Sequence, residues 1–155
     1  MKKIITLFLI SLTIYSCGVT KTPVSIEPIS RDVPAAGSSA DLYVKANNWM
    51  VENFRDAKSV IQFSDKEAGI VTGKYLMYDG SYSSAYQIVD GAIFAIVKIQ
   101  VKDGATRITI SPDNYTAVGS SLAPDYEFTE AKARKVALDL IDSFESYMNT
   151  EVDDF

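Results

Sequence analysis

The chain has 155 residues, with 15 lysines and arginines against 20 aspartates and glutamates, one cysteine and no histidine. Its length suits one domain of ordinary size; the cysteine and histidine counts exclude disulfides, Cys/His zinc sites and catalysis through imidazole. The acidic balance opposes binding to nucleic-acid phosphates and to anionic lipid headgroups.

Met1-Lys2-Lys3 is a short cationic start, and the largely apolar run Ile4 to Ile14 follows it. As a helix that run spans roughly 16 Å, too little for a hydrocarbon layer of ~30 Å. Its length and basic flank predict a signal peptide over residues 1–16. The run closes on Ile14-Tyr15-Ser16-Cys17-Gly18. This resembles the lipobox of bacterial lipoprotein precursors: Ile14, Ser16 and Cys17 match, and Tyr15 stands where a small residue is usual. The resemblance implies cleavage before Cys17, a diacylglycerol thioether on its sulfur and an acylated, palmitate-type amine. Three acyl chains exceed the two signals that a stable membrane anchor needs. Loss of Lys2 and Lys3 leaves 13 cationic side chains against 20 acidic ones, a net charge of −7.

Residues 17–23 are read as the lipidated start and tether, rich in small and polar residues. The domain proper is placed at 24–148. Val24 to Val33 alternates partly, with Pro28 inside, and suggests one edge strand. Ser38 and Asp41 have the spacing of a capping box. Leu42, Ala46, Trp49, Met50 and Phe54 then mark one helical face, ending near Arg55-Asp56. That spacing assigns Trp49 to the core rather than to a stacking platform.

Strands are predicted at 59–64 and 69–78, with Gly73 marking a bulge or a close backbone approach. Residues 79–84 read as a loop, Tyr86–Val89 as loop or short strand, and Ala92–Lys102 as the main strand. Asp103-Gly104 predicts a two-residue hairpin with both φ angles positive. That turn pairs Lys102 with Ala105, Gln100 with Arg107, Lys98 with Thr109, Val101 with Thr106, Ile99 with Ile108 and Val97 with Ile110. A slip of one residue would destroy the match of apolar with apolar partners. Ala95, Val97, Ile99, Val101, Ile108 and Ile110 therefore face the core.

Residues 111–128 read as loop. Thr129 caps a last helix with Glu130 in its first turn. Its apolar stripe runs Ala133, Val136, Ala137, Leu140, Ile141, Phe144, Tyr147 and Met148. Residues 149–155 form an acidic tail. The expected class is α+β: two layers, a mostly antiparallel sheet, and two helices on one face.

These patterns also resemble a family. The residues that carry the likeness are Asp41-Leu42-Tyr43, Ala46, Trp49, Asn53-Phe54, Ala57 to Gln62, Asp65 to Gly69, the strand into Lys102-Asp103-Gly104, and Arg107–Ile110. They are similar to Bacteroidota lipoproteins that carry a domain of unknown function with a TATA-binding-protein-like (TBP-like) fold. The likeness spans residues 24–148 and implies a β-α-β4-α order. It implies no activity, and a fold named for a DNA-binding protein does not carry that function with it. Surface-exported lipoproteins of that phylum usually carry acidic residues after the cysteine. Gly18 to Thr22 has none, which implies an outer-membrane anchor facing the periplasm.

Motifs for chemistry are sparse. Asp65-Lys66-Glu67 reads as a solvated turn, and Asp79-Gly80-Ser81 lacks the later acidic positions of a calcium loop. Ser120-Ser121 has no histidine to activate it. Asp125, Glu127 and Glu130 suit a helix start. Asn114-Tyr115-Thr116 is only a formal glycosylation sequon, and there is no glycine-rich phosphate loop. The remaining group is aromatic: Tyr75, with Tyr78, Tyr82, Tyr86 and Tyr115 as a possible binding surface. The expected role is a non-catalytic lipoprotein of the cell envelope, with no metal or cofactor. It would be held to the membrane through Cys17 and bind an envelope protein or glycan, but not nucleic acid. The alternative is a small carboxylate-based hydrolase or ligand carrier with a sheet-edge cleft, which requires at least two converging carboxylates.

Overall fold

A computed structural model describes residues 20–54, 60–80, 82–83, 88–89, 91–119 and 128–150. The signal segment, Cys17, Tyr86, Ser120-Ser121, Asp125, Glu127 and residues 151–155 of the tail lie outside these described residues. In chain order the elements are β1 (Thr20–Val24), β2 (Ile29–Pro34), α1 (Ser39–Asn53), β3 (Val60–Asp65), β4 (Ile70–Asp79), β5 (Tyr82–Ser83), β6 (Ile88–Val89), β7 (Ala92–Lys102), β8 (Ala105–Pro112), β9 (Tyr115–Gly119) and α2 (Glu130–Asn149). A five-stranded sheet has the order β2-β8-β7-β4-β3, and two ribbons, β1-β9 and β5-β6, stand beside it. All of its pairings are antiparallel. Along the main sheet the order is β-α-β4-α, as the family resemblance implies.

Both helices begin where their caps predict. The Ser38 hydroxyl accepts from the Asp41 amide and donates to its carboxylate. Thr129 accepts from the Lys132 amide. Each satisfies an amide that the first helical turn leaves without a partner. Helix α1 ends at Asn53, slightly before the expected Arg55-Asp56, with Phe54 as its C-cap. α1 packs on β7 and β4, and α2 on β2 and β8, so one face of the sheet is covered. Trp49 is fully buried, edge-on to Phe144 at 5.1 Å between ring centres, and its indole N–H donates to the Ser143 hydroxyl at 3.3 Å. That contact joins the two helices over Val97, Ile99, Ile108 and Ile110, all without solvent exposure.

All six β7–β8 rungs read from the sequence are present. The turn differs in one respect. Gly104 has φ 73°, while no residue other than glycine has positive φ among the described residues, so Asp103 stays in ordinary backbone space. A side chain makes the left-handed region costly, and one glycine suffices to reverse the chain here. The turn is also held from outside: the Asp103 carboxylate accepts from the Ser39 amide at 2.7 Å, and the Gly104 amide donates to the Gly37 carbonyl at 3.1 Å.

Three more readings change. The single edge strand over Val24–Val33 is two strands, broken at 25–28: β1 pairs with β9, and β2 with β8. Part of the stretch read as tether is therefore paired backbone. Residues 111–128 are not all loop, because β8 runs to Pro112 and β9 follows. A five-residue strand whose partner lies some ninety positions away has no local signature. At Gly73 the close approach is real: an added Cβ would lie 2.5 Å from Phe54 Cε2 and 2.7 Å from Met50 Cε. The bulge is on the partner strand β3, between Ile61 and Phe63.

Candidate functional site

The fold brings two of the four tyrosines of the proposed surface together, through a residue of the stretch 111–128 that carries no helical or strand pattern of its own. Phe128, just before the cap of α2, stacks on Tyr78 at 5.0 Å and lies tilted against Tyr115 at 5.4 Å. Tyr78 comes from the end of β4, and Tyr115 opens β9. Phe128 is buried, while Tyr78 and Tyr115 are half-buried and pack against the core. The Tyr115 hydroxyl oxygen is enclosed and has no hydrogen-bond partner among the described residues. Burial, with the nearby Glu130 charge, pushes its phenol up from the ordinary tyrosine value. Tyr75 packs on Phe54 at 5.4 Å, and burial raises its phenol as well. Tyr82 lies in the short β5–β6 ribbon, to which Tyr86 is adjacent in sequence. Tyr78 and Tyr115 therefore belong to one end of the sheet, where β4 and β8 finish and β7 begins.

The opposite end, at the Asp103-Gly104 hairpin, carries a shallow cleft of about 360 Å³. Asp32, Gln100, Lys102 and Arg107 line it. Asp32 and Arg107 face each other across the β2–β8 rung, and the guanidinium grips the carboxylate with Nε at 2.5 Å and Nη2 at 2.9 Å. Hydrogen bonding to Arg107 holds Asp32 below the ordinary carboxylate range. The cleft lining contains one carboxylate, already neutralised, so the pair that an acid–base hydrolase needs does not converge there. A second groove, of about 750 Å³, lies between α1 and the end of α2. Its Lys45 ammonium donates to the Met148 and Thr150 carbonyls at 2.9 and 2.6 Å, completing the C-terminus of α2.

The rest of the surface was not singled out from sequence. Edge strand β3 exposes Val60, Ile61 and Phe63, at 48, 37 and 54 %. A strand is expected here from the sequence, but its exposure follows from its place at the sheet edge and from the bulge between Ile61 and Phe63. On the helix side, the Ser64 hydroxyl is tied to α1 through the Tyr43 hydroxyl and the Asn47 side chain. On the uncovered face of the sheet, Lys74 sits 3.9 Å above the Phe94 ring. At the other edge, Arg31 on β2 reaches Asp142 and Glu145 on α2 at 2.5 and 2.8 Å. Asp65 closes its own turn by accepting from the Ala68 amide at 3.0 Å.

Among the described residues, no three or more acidic, cysteine or histidine side chains gather as a metal site would require. Among them, no helix is long and apolar enough to cross a membrane.

Comparison with known proteins gives the fold and no activity. A crystal structure of a DUF4468 family protein from Bacteroides ovatus superposes with a TM-score of 0.54 at 15% identity, covering 84% of this chain and 94% of that one. A crystal structure of a TBP-like protein from Parabacteroides distasonis superposes with a TM-score of 0.50, also at 15% identity, covering 80% of this chain and 94% of that one. No curated protein matches the chain. The model of the domain of unknown function DUF4468, with TBP-like fold, matches residues 30–116, from β2 through the start of β9. With more than half its length in that match and the β-α-β4-α sheet in place, the chain belongs to the DUF4468 family of TBP-like domains.

Proposed function

We propose that the protein is a non-catalytic lipoprotein of the cell envelope, anchored by acyl chains on Cys17 and acting by binding or assembly with another envelope component. One observation carries the reading: a short apolar run behind Lys2-Lys3 ends on Ile14-Tyr15-Ser16-Cys17, the one cysteine in the chain. In support, β1 starts three residues after it, so export and acylation need disturb no residue of the main sheet. The absence of acidic residues at Gly18 to Thr22 favours an outer-membrane anchor facing the periplasm. Tyr78 and Tyr115, braced by Phe128, form a half-buried aromatic group at one end of the domain. Catalysis by paired carboxylates gains no support from the cleft at Asp32, whose charge Arg107 already uses.

The test is the mature N-terminus. Protein purified from membranes of a bacterium that processes lipoproteins is expected to begin at Cys17, to carry diacylglycerol and an amide-linked acyl chain by mass, and to incorporate labelled palmitate. Cys17→Ser is expected to abolish labelling and membrane retention. A wild-type product cleaved elsewhere, or with an unmodified Cys17 thiol, would overturn the reading.

A further inference from the structure

We propose that the β1–β9 ribbon is a membrane-proximal stalk that fixes which end of the domain faces the lipid. The inference rests on the acylation of Cys17. Its structural basis is independent of that modification. Composition alone would leave residues 17–23 as a free chain with a root-mean-square span of about 5–6 Å times the square root of its length, or roughly 15 Å, and with no preferred direction. Pairing of Thr20–Val24 with Tyr115–Gly119 removes most of that freedom. Three residue steps remain between Cys17 and Thr20, which even fully extended span only about 11 Å.

The ribbon also has a direction. Ile29 pairs with Ile110, and five positions further out on each strand Val24 pairs with Tyr115, so the ribbon continues the β2–β8 ladder beyond a bend. Val24 and Tyr115 pack against the core, and Thr20 and Gly119 form the tip. Among the described residues the ribbon pairs with no strand of the main sheet, and β8 runs away from the Asp103-Gly104 hairpin towards it. The tip therefore lies beyond the end where Tyr78, Phe128 and Tyr115 cluster. The Asp103-Gly104 hairpin lies at the far end of β7, whose 11 residues extend about 33 Å at ~3.3 Å per residue. An acylated Cys17 places the tyrosine end beside the lipid headgroups, where amphipathic rings are well accommodated. It turns the hairpin and the Asp32/Arg107 cleft outward.

The experiment uses the full lipidated chain in vesicles of phosphatidylethanolamine and phosphatidylglycerol that contain a headgroup-labelled acceptor. Cys17 is acylated, so a cysteine introduced at an exposed position is the only reactive thiol. Thr116→Cys marks the ribbon and Lys102→Cys the hairpin, each carrying the same donor dye. Energy transfer is expected to be about twofold or more higher from position 116 than from position 102, given a strand of this length between them. Insertion of a flexible spacer of about ten Gly/Ser residues between Val19 and Thr20 is expected to remove the contrast. Equal transfer from both positions in protein of the correct acylated mass would overturn the stalk and leave the anchor standing. Persistence of the contrast with the spacer would overturn it too, because another surface would then set the orientation. Protein without acyl mass that does not bind vesicles would overturn the stalk and the anchor together.

Discussion

The Phe54 ring occupies the space that a β-carbon on Gly73 would need, with Cε2 only 2.5 Å from that position. The C-cap of α1 is thereby seated directly on the backbone of β4. Gly73→Val puts three carbons where Phe54 and Met50 already pack, and forces α1 outward. The expected cost is about 1–3 kcal/mol, the usual range for overpacking. Urea unfolding followed by Trp49 emission measures it, since Trp49 is the sole tryptophan and is buried. An unchanged midpoint would mean that the helix end yields freely.

Phe144 and Trp49 join the helices edge to face. Phe144→Ala opens a cavity between α1, α2 and the sheet and is expected to cost about 3–5 kcal/mol. The same variant should red-shift native Trp49 emission, because the indole loses its main aromatic neighbour and gains water. A large loss of stability with unaltered native emission would place the damage elsewhere.

Asp103 joins the β7–β8 hairpin to the start of α1 through the Ser39 amide. A carboxylate at that position is favoured by the helix dipole as well as by the hydrogen bond. Asp103→Ala is expected to cost about 0.5–1.5 kcal/mol in thermal or urea unfolding, although the residue is exposed and in a turn. Asp103→Asn should recover part of this, since the amide oxygen still accepts but carries no charge.

Asp32 gives the fold a component of acid sensitivity. Its hydrogen bond to Arg107 lowers the carboxyl in the folded state, and partial desolvation opposes this less strongly. A depressed carboxylate contributes stability that is complete above the unfolded value of ~3.9 and is lost as pH falls through the lower folded value. Asp32→Asn is therefore expected to narrow the stability difference between neutral pH and about pH 3, measured by urea midpoints at low ionic strength. The effect should shrink at high salt, because both partners are more than half exposed. An identical acid slope in wild type and variant would show that the pair contributes nothing to folding.

The elements legible in the sequence are those whose signal is local. Ser38 and Thr129 announce helix starts because capping chemistry acts over three residues. The stripe from Ala133 to Met148 repeats with the helical period, and six of its eight members are buried as expected. The β7–β8 register is legible because alternation on both arms admits one alignment. The order of the main sheet follows from these signals together with the family likeness.

By itself the sequence determined two amphipathic helices and a self-registering hairpin, since each depends on neighbours within a few positions. Only the tertiary structure decided that part of the tether is strand β1, that Tyr78 and Tyr115 meet through Phe128, and that Asp32 is neutralised by Arg107. Those partners lie 13 to some ninety residues apart, and chain proximity carries no record of such pairings. They form because burial of one sheet face brings distant segments to the same ends of the fold.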